Sequence, residues 1–233
     1  MVAWHKFGRH DVYGNGLARA KLRGWLYPVV AVGGAALAGR LDPERAALAR
    51  ATLAVYVWGS VLHLVPFETP SGYCRALAAD FGVITAVYSA HVALWCGPSP
   101  ALALSAALSA LLVAAHLASL AAGRDIQYRR EDRRLRVACG AAQTVLLSTV
   151  EALRIRDGAV RAAVVACKLG AFGYFTLGGR IDAPTRWRFA TVEGWWGVHD
   201  NFHVLALGVH ALQVVAIGRH LRQEESPVAD WFC

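Results

Sequence analysis

Apolar residues come in seven long runs separated by short polar stretches, and the runs have the length of bilayer-crossing helices rather than the alternation of strands. They cover Trp25 to Leu37, Ala47 to Pro66, Ala76 to Trp95, Pro100 to Ala122, Leu135 to Leu153, Val160 to Leu177 and Val198 to Ile217. A hydrocarbon core of about 30 Å needs roughly 20 helical residues, so all but the first run suffice. The pattern predicts an all-α, polytopic seven-helix bundle at 25–218, with an N-terminal tail at 1–24 and a short C-terminal tail at 219–233. The small residues Ala35 to Ala38 after the first run also allow a cleaved leader, but the basic stretch from Lys6 to Arg23 is long for one.

Composition agrees. The 233 residues are 56% apolar and only 17% charged, with a mean hydropathy of +0.38. The net charge of +8 does not mark a nucleic-acid binder, because the basic residues sit in loops and form no face with interleaved aromatics. Counted on alternate sides, fifteen Lys and Arg lie with the N-terminus and eight lie opposite. This predicts a cytoplasmic N-terminus and an outside C-terminus. The chain is therefore expected to be a multi-pass integral membrane protein, with plasma and internal membranes both open. Five cysteines, Cys74, Cys96, Cys139, Cys167 and Cys233, show no CxxC spacing and are expected to pack rather than to ligate metal or form disulfides.

Ionisable groups inside apolar runs cost several kcal/mol unless paired, hydrated or ligated, and each is a candidate for function. Among them are His63, Asp80, His91, His116, Lys168, His199, His203 and His210. On the predicted topology His63, Asp80, His199 and His203 share one membrane level. His199 and His203 are four apart, which puts both imidazoles on one helix face at a spacing that chelates one metal. His63 supplies a third ligand and leaves a fourth position open, the arrangement of a catalytic zinc. Asp80 is then the expected proton acceptor, and Ser60, one turn before His63, an accessory group. His91, His116 and His210 are expected to hydrogen-bond between helices. Lys168 is expected to face the bundle interior, with Asp80 or a lipid head group as partner. Trp187, Trp195 and Trp196 are expected in an interfacial belt.

Three motifs resemble the progestin and adipoQ receptor / haemolysin III-related family, in the superfamily shared with the alkaline ceramidases. They are Ser60-Val-Leu-His63, Asp80-Phe-Gly, and His199-Asp-Asn-Phe-His203-Val-Leu. Pro184-Thr-Arg186 with Trp195, and Gly170-Ala-Phe-Gly173-Tyr174, resemble further positions of the adiponectin-receptor branch. The family serine stands four residues before the histidine, where this chain has Gly59, and Thr185 replaces a family glutamate. The resemblance implies seven spans, a zinc ion near the cytoplasmic face, and either receptor signalling or lipid-amide hydrolysis of the ceramidase type. Its expected partners are membrane lipids, sphingolipid or other acyl lipid, and an extracellular ligand. Two alternatives stand beside the hydrolase: a non-enzymatic receptor or scaffold with structural zinc, and, more weakly, a membrane b-type cytochrome using the scattered histidines as haem ligands.

Overall fold

The computed structural model describes residues 22, 24–41, 43–65, 70–123, 130–178, 192 and 195–220. Among the described residues seven helices follow one another: α1 (Leu26–Ala38), α2 (Pro43–Leu64), α3 (Pro70–Cys96), α4 (Pro100–Ala121), α5 (Arg130–Arg154), α6 (Gly158–Gly178) and α7 (Val198–His220). Each coincides with one predicted run, and no strand occurs among the described residues beyond a single bridge between Val192 and Trp196. Four helical segments, Arg45–Leu64, Gly72–Cys96, Pro100–Ala121 and Asp200–Ile217, are long and apolar enough to cross a bilayer. The N-terminal tail, the loop holding Pro184, Arg186 and Trp187, and Cys233 lie outside the described residues.

Local chemistry sets the helix ends. Ser99 accepts a hydrogen bond from the Leu102 N–H (3.2 Å) with Pro100 in the first turn of α4, where a missing N–H costs nothing. Asp157 accepts from the Ala159 and Val160 N–H groups at 3.0 and 3.1 Å and starts α6 only three residues after α5 ends. The turn after α3 needs a left-handed residue, and Gly97 supplies it with φ +60.

Two apolar clusters close the ends of the bundle. At the end holding the 97–99 and 155–157 turns, Leu48, Val92, Trp95, Leu147, Val150, Val164 and Ile217 pack together. At the other, Leu62 packs with Tyr73, Cys74 and Leu77. Large apolar side chains such as Val32 on α1, Val145 on α5 and Leu169 on α6 point outward, as they do where the solvent is lipid.

Between the clusters the interior is polar. Gln143 on α5 donates to Ser109 Oγ (2.8 Å) and to the Ser105 carbonyl (3.2 Å), and Ser89 on α3 bonds both serines of α4. Lys168 on α6 is 11% exposed and lies 2.5 Å from Glu151 on α5, itself 2% exposed. Its interior placement agrees with expectation, and its partner is Glu151 rather than Asp80. Gln213 on α7 donates to the other oxygen of Glu151 at 2.5 Å, so one carboxylate ties three helices together. Cysteine chemistry also departs from expectation: Cys96 is disulfide-bonded, whereas Cys74, Cys139 and Cys167 are free thiols.

Removing one member of a buried pair strands a charge, while removing both does not. Lys168→Met is therefore expected to destabilise the protein by about 3 kcal/mol, and Glu151→Leu with Lys168→Met together to recover most of that loss. Thermal unfolding in detergent measures both; equal losses in the single and double variants would refute the pair's role.

Candidate functional site: the Tyr27, His63 and His203 cluster

The site lies where the C-terminus of α2 meets the N-termini of α1 and α7. Asp200 shapes the start of α7: its carboxylate accepts the Gly197 N–H at 2.8 Å, which caps the helix within the histidine motif itself. The next residue, Asn201, accepts the Trp196 indole N–H at 2.8 Å. Trp196 thereby braces the start of the motif, and Trp195 beside it is half exposed.

With α7 so anchored, His203 faces His63. Their ring centroids are 5.5 Å apart with the planes at 71°. Two imidazoles bound to one tetrahedral zinc, at Zn–N of about 2.0–2.1 Å, have centroids roughly 5 Å apart, so this separation fits a shared metal. The donor set is also of the correct kind, two neutral-capable imidazoles from different helices. His199 stands one turn before His203 in the first turn of α7, and its side chain lies outside the described residues. No group of three or more His, Cys, Asp or Glu side chains suited to a metal occurs among the described residues.

Tyr27 completes the cluster, and sequence reasoning passed it over. Its ring stacks on His63 (centroids 4.9 Å, 28°), and its hydroxyl sits 2.7 Å from Nδ1 and 2.9 Å from Nε2 of His203. Gly59 makes this approach possible: a Cβ there would meet the Tyr27 ring at 2.2 Å. In the resembled family that position is serine; here the tyrosine ring fills the space.

The other expected site residues stand apart from this trio. The Ser60 hydroxyl donates to the Tyr56 carbonyl of its own helix at 2.7 Å. Asp80, partly buried on α3, makes no side-chain hydrogen bond or ion pair with the described residues. His116 is 2% exposed and packs against Phe81, with ring centroids 5.4 Å apart. His91 and His210 do bond across helices, to Thr52 at 3.1 Å and Tyr56 at 2.9 Å.

Comparison with protein-family models, curated proteins and solved structures finds no match. The functional reading therefore rests on the residues themselves.

Because the Tyr27 ring fills the space over Gly59, Gly59→Ala is expected to destabilise the protein by about 1–3 kcal/mol, as overpacking does. In a Tyr27→Ala background the same substitution is expected to cost much less. A double-mutant cycle by thermal unfolding measures the coupling, and an additive cycle would show that the two residues do not touch.

Proposed function

We propose that this chain is a seven-span membrane protein of the progestin and adipoQ receptor / haemolysin III-related type, holding zinc with His63, His199 and His203. The observation that supports this best is the 5.5 Å approach of His63 and His203 from separate helices. His63, His199 and His203 would hold the ion, which when bound would supply Lewis-acid chemistry toward an acyl carbonyl and a water molecule. In the hydrolase reading the substrate is a lipid amide of ceramide type or another acyl lipid, and Asp80 takes up the proton released. An acid with no other partner among the described residues keeps its oxygens available for that role.

Tyr27 favours a second reading. Its hydroxyl lies 2.7 Å from His203 Nδ1, where it would be placed to offer an oxygen to an ion held by the histidines. A site closed in this way is structural, and the protein is then a receptor or scaffold whose helices move on ligand binding. Tyr27→Phe separates the two: zinc retained with lipid-amide turnover gained or unchanged supports the hydrolase, and loss of zinc without turnover in either form supports the scaffold.

Two observations support a cytoplasmic N-terminus: the excess of Lys and Arg on that side, and Cys96, disulfide-bonded at the opposite end of the bundle, where an oxidising compartment would maintain the bond.

Two outcomes are expected. Detergent-purified protein carries about one zinc per chain, by mass spectrometry, and His203→Ala loses it. A chain without zinc in the wild type would remove the metal reading. In intact cells a membrane-impermeant reductant is expected to reach the Cys96 disulfide, while a tag at the N-terminus stays protected from added protease; the reverse pattern would invert the topology.

A further inference from the structure

The polar layer in the middle of the bundle holds titratable groups that the His63 and His203 site does not use. His91 on α3 is 1% exposed. Its Nε2 bonds Thr52, but its Nδ1 is buried with no hydrogen-bond partner. A buried polar atom left unsatisfied costs about 1–3 kcal/mol, so its retention asks for a reason. His210 on α7 faces it, with ring centroids 6.1 Å apart and planes at 67°. The Nδ1 of His210 is bonded to the Tyr56 hydroxyl at 2.9 Å.

A charge pair stands beside these rings. Lys168 on α6 interacts electrostatically with both imidazoles. Its own charge is balanced by Glu151, which also faces Tyr88 of α3. α4 brings only serine hydroxyls to this layer, through Ser105 and Ser109. The layer thus contains one acid, one ammonium and two imidazoles, and the ion pair leaves it electrically balanced while both imidazoles are neutral. Apolar residues can commonly replace a buried ion pair without loss of stability, and ionisable groups at membrane depth mark ion and proton pathways.

We infer that His91 and His210, set beside the Glu151–Lys168 pair, form a proton-exchange centre through which the protein carries protons across the membrane. A proton arriving at His91 forms an N–H bond at Nδ1, the nitrogen with no existing bond to break, and makes an imidazolium. The N–H bond at Nε2 then breaks and its proton passes to the Thr52 hydroxyl, which releases its own proton onward. The ring returns to neutral in the other tautomer, so one proton enters and one leaves with no change in charge, and tautomer exchange restores the Nε2–H form before the next transfer. Glu151 offsets the Lys168 ammonium, which would otherwise repel the imidazolium. His210, held by Tyr56, offers the second station. The inference uses the seven-span reading but not the zinc site.

The test uses the full chain reconstituted in phosphatidylcholine vesicles with a pH-sensitive dye inside, and a potassium gradient with valinomycin to drive protons inward. The wild type is expected to acidify the lumen at least tenfold faster than protein-free vesicles. His91→Gln and His210→Gln are each expected to cut that rate tenfold or more, and Glu151→Gln to cut it as well. Thr149→Ala, on the exposed face of α5, keeps the wild-type rate. Wild-type vesicles no faster than protein-free ones overturn the inference whatever the variants do, as does a folded His91→Gln protein that matches wild type. Zinc binding without proton flux leaves the metal reading standing alone; flux without zinc does the reverse.

Discussion

A carboxylate and an ammonium placed among apolar helices must neutralise one another, and the arrangement of α5, α6 and α7 follows from that requirement. Glu151 accepts from Lys168 with one oxygen and from Gln213 with the other, so its position is fixed by two helices at once. Apolar packing alone is a weak guide inside a bilayer, because a leucine against lipid is as well solvated as a leucine against a helix. Directional bonds supply what packing lacks. The serine and glutamine contacts among α3, α4 and α5 do the same on the other side of the bundle. α7 is tied to α2 directly by the Tyr56–His210 bond, about two turns from where His203 meets His63.

The helices were legible because hydropathy reports them directly: all seven runs became helices, and their ends moved by only a few residues. The outward shifts have local causes. α2 begins at Pro43, four residues before its apolar run, because proline favours a first turn. α3 begins at Pro70 for the same reason. The meeting of His63 and His203 was legible too, since both lie at the same end of antiparallel neighbours.

What escaped the sequence were groups whose role depends on partners far away along the chain. Tyr27 reads as part of an apolar run, and only the folded contact across 176 positions makes it a member of the site. Glu151 lies three residues before Arg154 at the end of its run, so it resembles the charged fringe of a span, whereas the structure buries it. Lys168 was recognised as interior because a mid-span ammonium demands a partner, but pattern alone could not name that partner. Cys96 shows no spacing that announces a disulfide, and the bond depends on tertiary proximity.

The brevity of α1 bears on what the histidine pair can meet. Thirteen residues at 1.5 Å each make about 20 Å of helix, some two thirds of a hydrocarbon core. On the proposed seven-span reading, a bilayer that thins to match so short a segment would do so at a fraction of a kcal/mol per ångström. Tyr27 sits in the first turn of that helix, so the thinned leaflet would border Tyr27, His63 and His203. Along that edge lipid polar groups would sink toward the imidazoles, and a lipid would present its linkage there without leaving the leaflet.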